Sequence, residues 1–223
     1  NANYQLGDDM QTTLEAYFWA KIDQSVKTVS SGHAKADSVY TPGLRASANI
    51  LKGLNVSVEG AMQRGNKAAT AGSTDNVHRE ASAAQVITVY ALPFEQLAKW
   101  SPVLTGAYTY LSGDSNPSEA GSSTAPGSDD TYTAWDPMFE NQSSGKIYNT
   151  LFDYSNAHIL TAKAQVKPLE DVTASFGWDG LWVDKEVSNG AFTGNCGGAY
   201  GPSCSPHYYS IRQPDGSTLT PRE

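Results

Sequence analysis

The feature that most constrains this chain is an alternation of apolar and polar residues with a period of two. In residues 13–22 the even positions hold Leu, Ala, Phe, Ala and Ile, and the odd positions hold Thr, Glu, Tyr, Trp and Lys. The same split recurs in residues 40–50 and 54–63, with a Lys-Gly turn between them. Successive side chains of a strand point to opposite faces, so the pattern predicts strands with one apolar face and a hairpin at the turn.

Four more stretches complete a predicted set of seven strands. Residues 160–166 and 172–182 alternate in the same way around a tight turn and predict a second hairpin. Residues 78–92 and 103–111 are rich in Val, Ile, Tyr and Thr, which favours strands, but their alternation does not assign the faces. The connection between these two strands, residues 93–102, has room for a helical turn.

Short and long connections alternate strictly along the chain. The short ones lie at 51–54, 93–102 and 168–171, and the long, polar ones lie at about 23–38, 64–77, 112–155 and 184–223. An antiparallel up-and-down sheet with all its long loops at one end gives this order, and outer-membrane barrels have short periplasmic turns and long extracellular loops. We therefore predict an all-β chain in which residues 1–223 are part of a single transmembrane β-barrel domain.

The two faces of the clear strands indicate which side meets lipid. The apolar face carries no charge and is rich in Ala and Gly, whereas a core packed to native density would have more Leu, Ile and Phe. The residues predicted to face lipid include Ala46, Val58, Ala164 and Phe176, with Tyr40, Trp178 and Trp182 in an interfacial girdle. The charged residues predicted to line a hydrated pore are Glu15, Lys21, Arg45, Glu59, Lys163 and Asp179.

Composition and charge exclude several classes of protein. Charged residues make up 17% of the chain, against about 25% in a soluble domain. A net charge of −8 argues against a nucleic-acid partner. No apolar run is long enough for a transmembrane helix, and no P-loop, dinucleotide fingerprint or serine-nucleophile elbow is present, so we predict neither an enzyme nor a bound cofactor. The four histidines lack ligand spacing, so no metal site is predicted.

The two cysteines, Cys196 and Cys204, enclose a short Gly/Pro/Ser segment near the end of the chain. Such a segment is flexible enough to bring the two sulfur atoms together, and exported proteins fold in an oxidising compartment. We predict a local disulfide in an external loop.

An ordered set of short motifs resembles the alginate-export family of outer-membrane porins. Residues 108–114 form a predicted strand running into Ser-Gly-Asp, as in that family, and Trp-Asp-Pro-Met-Phe at 135–139 is similar to the family's Phe-Asp-Pro-Leu-Phe. A strand ending Val-Lys-Pro at 166–168, a tight turn and an aromatic-rich strand follow in the same order. The resemblance covers about residues 10–185. It implies an outer-membrane channel of a Gram-negative bacterium that passes small solutes or a polysaccharide through a barrel of roughly 18 strands.

The chain departs from that family in three respects. Seven strands are too few for the family's barrel, and the chain begins without Met and ends within a predicted loop, so we expect further strands to flank it. The six predicted pore charges are evenly divided in sign, whereas an exporter of polyanions would be rich in Lys and Arg.

The loop at residues 112–154 carries seven acids and one base, most of the net charge of the chain. A negative field at a pore mouth enriches cations, so we expect weak cation preference. Asp129, Asp130 and Asp136 are the candidates for a Ca²⁺ ion, although a solvated acidic loop is the favoured interpretation. The residues predicted to form this loop's constriction are Asp114, Asp129, Asp130, Trp135, Asp136, Met138 and Phe139.

Three functions remain open from the sequence. The first is a passive outer-membrane channel embedded in lipid. The second is a secreted carbohydrate-binding or structural β-sandwich, whose apolar faces would be buried between two sheets. The third is an outer-membrane interaction platform, in which the long external loops bind a protein partner.

Overall fold

The computed structural model describes residues 1–23, 37–67, 77–115, 131–138 and 154–185. Within these ranges the chain forms eight strands and one 3-10 helix. The strands are β1 (Ala2–Gln5), β2 (Thr13–Asp23), β3 (Asp37–Leu51), β4 (Leu54–Lys67), β5 (Val77–Ala91), β6 (Val103–Leu111), β7 (Ala157–Leu169) and β8 (Val172–Val183). The 3-10 helix, Glu95–Trp100, lies between β5 and β6, where the sequence predicts a helical turn.

All eight strands belong to one antiparallel sheet, and their order in the sheet is their order in the chain. The predicted all-β, up-and-down architecture is therefore confirmed. The sheet is open, because β1 and β8 lie at its two edges and do not pair with each other. No helix within the described ranges is long and apolar enough to cross a membrane.

The register of the sheet moves steadily from one strand to the next. The row of paired residues that starts at Leu44, in the middle of β3, runs through Gly60, Ala84 and Tyr110. It continues through the next strand to Trp182, the penultimate residue of β8. This is a stagger of about one residue per strand, which corresponds to a strand tilt of roughly 35° in a barrel.

The structure corrects the predicted strands in two ways. There is an eighth strand, β1, whose four residues are too short a run for alternation to be recognised. Strand β4 continues four residues beyond the predicted Gln63 to Lys67, and β3 begins at Asp37. Apart from Val39 and Gly65 these extensions are polar, so they look like loop in the sequence, but they pair with neighbouring strands.

Apart from the irregular pairs Leu51–Leu54 and Leu169–Val172 beside the short turns, the pairing assigns a face to the residues of strands β2–β8. Rows of partners join even positions to even positions, as in Ala46, Val58, Val86 and Tyr108. We call the surface formed by the even positions the outer face and the one formed by the odd positions the inner face. This assignment also settles the faces of β5 and β6, which the sequence leaves ambiguous.

The outer face is apolar and exposed. Phe18, Leu44 and Phe176 are 61%, 67% and 75% exposed, and Val58 and Trp178 are also exposed. Among the described outer positions of β2–β8, Glu80 is the only carboxylate and Arg64 is the only Arg or Lys. The two side chains form an ion pair near the long-loop end. No second sheet among the described residues covers this face.

Candidate functional site

A cavity of about 710 Å³ lies against the inner face of the sheet. Its walls come from β2 through β8, so the sheet curves around it. Residues 135–138, from the long connection between β6 and β7, complete the lining. The cavity is therefore formed where one strand-to-strand connection folds back against the concave side of the sheet.

Backbone hydrogen bonds hold residues 131–138, here called the inward segment, against the sheet. Tyr132 N–H donates to the carbonyl of His78 at 2.7 Å, and Glu80 N–H donates to the carbonyl of Tyr132 at 2.9 Å. Trp135 N–H donates to the carbonyl of Ser112 at 2.9 Å. Strand β5 extends beyond the end of β6, so the inward segment satisfies backbone groups that β6 leaves free.

Asp136 is the centre of the polar contacts between the inward segment and the inner face. Lys21 Nζ lies 3.1 Å and 3.2 Å from its two carboxylate oxygens, and Arg79 Nη2 lies 3.6 Å from Oδ2. The same Arg79 nitrogen is 3.4 Å from Asp37. Arg79 is 1% exposed, so its charge depends on these carboxylates rather than on water.

Gln63 fixes the backbone of Asp136 through two hydrogen bonds. Its side-chain amide donates to the carbonyl of Asp136 at 2.7 Å, and its oxygen accepts from the N–H of Asp136 at 2.8 Å. Gln63 is fully buried. A buried amide needs both of its hydrogen-bonding functions satisfied, so this pair of bonds specifies the position of the segment closely.

The electrostatic environment lowers the pKa of the Asp136 carboxyl. Burial alone would raise that pKa, but Arg79 and Lys21 favour the ionised form, and the N–H of Met138 donates to the carboxylate at 2.7 Å. Burial raises the pKa of the neighbouring Tyr132 to about 12. The Tyr132 ring lies below two cations, with Lys67 Nζ 4.1 Å from its centre and the Arg79 guanidinium carbon at 4.9 Å.

Apolar contacts add to this polar anchor. Trp135 is 8% exposed and packs with the inner-face residues Ala81 and Leu111. Met138 accepts a hydrogen bond on its sulfur from Thr41 at 3.4 Å. Trp135, Asp136 and Met138, which the sequence places in the constriction of this loop, therefore contact the sheet through apolar groups and through a charge. Phe139, which the sequence places in the same constriction, lies outside the described residues.

The Ser-Gly-Asp motif at the end of β6 connects the inward segment to the sheet. Ser112 Oγ accepts from the N–H of Ser82 and donates to the carbonyl of Thr133, and Asp114 accepts from the N–H of Thr133 at 3.0 Å. The Gly113 N–H donates to Asp184, just beyond β8. The motif therefore joins β5, the inward segment and the end of β8 at the long-loop end of the sheet.

Glycine is required at Gly113 and at Gly43 by close neighbours. A Cβ at Gly113 would lie 1.8 Å from the side-chain oxygen of Asn156. A Cβ at Gly43 would lie 2.2 Å from the ring of Tyr17, which crosses β3 at this point. The Tyr17 hydroxyl thereby reaches Glu59 on β4 and donates to its carboxylate at 2.5 Å.

The structure brings the six predicted pore residues to the inner face but not to one cluster. Glu59 and Asp179 line the cavity, whereas Arg45 pairs with Glu15 at 3.4 Å outside it. Lys21 binds the inward segment. Lys163 lies on the inner face nearer the short turns and is exposed.

Several predictions fall on residues that the structure does not describe. They are the Ca²⁺ candidates Asp129 and Asp130, the disulfide between Cys196 and Cys204, and most of the external loops suggested as a protein-binding platform. Asp136, the third Ca²⁺ candidate, is paired with cationic side chains. No group of His, Cys, Asp and Glu suited to a metal ion occurs within the described ranges.

Apart from Lys21, sequence reasoning missed the strand residues that hold the inward segment. Gln63, Arg79, Asp37 and Lys67 all occupy odd positions, on the inner face of extended strands. Continuing the alternation past the last apolar residue of each strand would have placed them there. Comparison with known proteins found no matching family model, curated protein or solved structure for this chain.

Proposed function

We propose that the chain forms the wall of a passive channel in the outer membrane of a Gram-negative bacterium. Lipid covers the outer face, and solutes pass along the inner face without bond chemistry. The observation that carries the proposal is that the two faces of the sheet are inverted relative to those of a soluble protein. The outer face exposes its large apolar side chains, while the inner face holds most of the charged side chains and the buried Gln63 and Arg79. A soluble protein of this size rarely exposes so large an apolar surface.

The height of the apolar band supports this proposal. On β3 the outer positions are uncharged from Tyr40 to Ile50. Ten residue steps at about 3.3 Å each span roughly 33 Å along the strand. For the strand tilt of roughly 35° that the stagger implies, this corresponds to roughly 27 Å along the membrane normal, close to the apolar band of about 25 Å in outer-membrane barrels.

The outer face becomes polar and aromatic at the long-loop end of the sheet. Arg64 and Glu80 form an ion pair there. The side chain of His158 contacts the Tyr108 hydroxyl at 2.7 Å and packs against Tyr110 with 5.1 Å between ring centres. Trp182 is the cross-strand partner of His158. Amphipathic rings and ion pairs suit the boundary between acyl chains and headgroups.

The inward segment supplies the constriction of the proposed channel. It occupies the concave side of the sheet, and Lys21, Gln63 and Arg79 hold it through Asp136. A solute that moves along the inner face must pass this segment. We propose the alginate-export family as the closest type of channel, because the Ser-Gly-Asp and Trp-Asp-Pro-Met motifs that resemble that family build this constriction.

The edges of the sheet set a requirement for this function. Strands β1 and β8 carry unpaired backbone groups along one side, and such edges are costly in hydrocarbon. We propose that further strands, from the same polypeptide or from another copy of it, complete the barrel. The stagger between the described strands is already the stagger that a tilted barrel needs.

A pair of arginine substitutions on one strand tests the proposal. Phe176 is an exposed outer residue and its neighbour Ser175 is an exposed inner residue. If the outer face meets acyl chains, Phe176→Arg should cost about 2–4 kcal/mol near the midplane of the bilayer, and Ser175→Arg much less. The measurement is the heat-modifiable gel mobility of protein extracted from membranes, together with the conductance of a planar bilayer.

The alternatives predict other results. A secreted β-sandwich would be recovered in the soluble fraction without detergent. An interaction platform would be extracted from membranes but would give no conductance. Equal costs for the two arginine substitutions would contradict the assignment of the faces.

A further inference from the structure

The described lining of the inner-face cavity contains three acids and no Lys, Arg or His. Asp136 is neutralised by its cationic partners. Glu59 and Asp179 differ from it, because neither has a cation within ion-pairing distance among the described residues. Their carboxylates accept hydrogen bonds from neutral hydroxyl groups instead, Glu59 from Tyr17 and Asp179 from Thr161, each at 2.5 Å.

The cations that neighbour these two acids in the sheet do not form ion pairs with them. Arg45 is the cross-strand partner of Glu59, but its guanidinium pairs with Glu15 at 3.4 Å. Lys163 is one inner position from the row of Asp179 towards the short turns, and it makes no ion pair within the described part of the chain. The cavity therefore retains negative charge that no cation among the described residues pairs with.

The acids stand on opposite sides of the cavity rather than in one cluster. Glu59 is on β4 and Asp179 is on β8, four strands away, which is about 19 Å measured along the sheet. The lining between them includes the small residues Ala83 and Ala107 beside larger ones such as Gln85 and Ile159. Small side chains leave the space open and let a solute approach the backbone.

Aromatic rings complete the lining. Tyr17 and Trp19 come from β2, and Trp135 comes from the inward segment. The volume of about 710 Å³ lies within the range of small-ligand sites. Aromatic faces attract ammonium groups, most strongly where water is partly excluded, and unpaired carboxylates add a longer-range attraction.

We propose that this cavity is a transit site for small organic cations that carry an ammonium group. Glu59 and Asp179 supply the charge, and the rings of Tyr17, Trp19 and Trp135 supply the surface on which the alkyl ammonium group rests. The inference rests on the proposed channel function and names its preferred class of solute. Organic anions of similar size are repelled from the same space.

The test uses the full-length protein, purified from membranes and placed in a planar bilayer with a gradient of choline gluconate. The reversal potential gives the permeability of choline relative to gluconate. We expect choline to be favoured by about tenfold or more, the lower end of the enrichment that a cleft lined by charge of one sign gives its counter-ion. The double variant Glu59→Gln/Asp179→Asn should bring the ratio close to one, because it removes the charge and keeps the size of both side chains.

A matched control removes two negative charges elsewhere. Glu170 and Asp171 form the exposed turn between β7 and β8, outside the cavity. Their substitution by Gln and Asn should leave the permeability ratio unchanged. A ratio that is unchanged in the Glu59→Gln/Asp179→Asn variant, or that favours gluconate in the parent, overturns the inference.

Choline binding to the detergent-solubilised protein, followed by tryptophan fluorescence, separates this inference from the channel itself. If the protein conducts KCl but neither prefers nor binds choline, the inference is wrong and the proposed channel function is unaffected. Binding that is lost in the double variant, but without any conductance, supports the site and contradicts the channel. Heat-modifiable gel mobility shows that each variant is folded.

Discussion

Neutralising Asp136 should release the inward segment from the inner face. Asp136→Asn keeps the shape of the side chain and leaves the two backbone hydrogen bonds to Gln63 possible. It removes the charge that faces Lys21 and the buried Arg79. Arg79 then has Asp37 as its remaining carboxylate partner among the described residues.

The size of the effect follows from these contacts. Removing one partner of a fully buried ion pair costs about 3–5 kcal/mol. Lys21 and Asp136 retain 20% and 14% exposure of their side chains, and Arg79 keeps Asp37, so the cost here should be lower. We expect about 1.5–3 kcal/mol, the usual worth of hydrogen bonds to charged groups. The detached population of the segment should rise roughly tenfold to hundredfold.

Cysteine labelling measures that population. With Cys196 and Cys204 replaced by Ser, Met138→Cys places a single thiol at the end of the inward segment. Its modification by a water-soluble maleimide should be roughly tenfold to hundredfold faster in the Asp136→Asn background. Asp171→Asn, in the exposed turn after β7, is the charge-matched control and should leave the rate unchanged. Equal rates with and without Asp136→Asn would refute the charged anchor.

The pH dependence has a definite sign. The folded pKa of Asp136 is below its ordinary value, so the ionised carboxylate stabilises the attached segment above that ordinary value. This contribution is lost as the pH falls through the lowered pKa. Maleimide reacts with the thiolate, whose fraction falls with pH, so the labelling rate of the Met138→Cys protein is divided by that of the unfolded chain at the same pH. This relative rate should be constant from neutral pH down to the ordinary carboxyl range and rise only below it. The Asp136→Asn background should not show this rise.

Two further predictions concern Tyr17 and Tyr132. Gly43→Ala should displace the Tyr17 ring, break its hydrogen bond to Glu59 and lower the unfolding free energy by about 1–2 kcal/mol. Gly106→Ala is the control, because a Cβ there meets no atom within 4 Å. The measurement is urea unfolding in detergent, and equal losses in the two variants would contradict the close packing at Gly43. Burial raises the pKa of Tyr132 to about 12. The neutral phenol therefore contributes its full share to folding stability below the ordinary tyrosine pKa, and this share is lost as the pH rises through the pKa of the folded state. Tyr132→Phe should therefore reduce the loss of stability between pH 10 and 12, and an identical loss in both proteins would refute the burial of a neutral phenol.

The parts of the fold that the sequence predicts are those in which one face is apolar. Alternation identified β2, β3, β4, β7 and β8 because each alternates an apolar face with a polar one. It left the faces of β5 ambiguous, because its outer positions include Ser82 and Thr88 while its inner positions include Ile87 and Val89. Pairing with neighbouring strands decides such cases, and pairing is not visible in the sequence of one strand.

The candidate site was predictable only in part for a related reason. The charged inner residues Glu59 and Asp179 follow from alternation alone. The role of Arg79 and Gln63 does not, because both residues bind Asp136, which belongs to a connection far along the chain. Contacts across such sequence separations depend on the complete fold.

The most direct test of the account is the quenching of individual tryptophans from the lipid and from water. Trp178 and Trp182 are exposed on the outer face, whereas Trp19 and Trp135 line the inner-face cavity. In vesicles of lipids brominated on their acyl chains, single-tryptophan variants with Trp178 or Trp182 should be strongly quenched, and Trp178, further from the long-loop end, should respond most to bromines deep in the bilayer. Trp19 and Trp135 should be insensitive to these lipids. Equal quenching of all four by the brominated lipids, or quenching of Trp178 by aqueous iodide instead, would contradict the claim that the outer face of this sheet is embedded in a membrane.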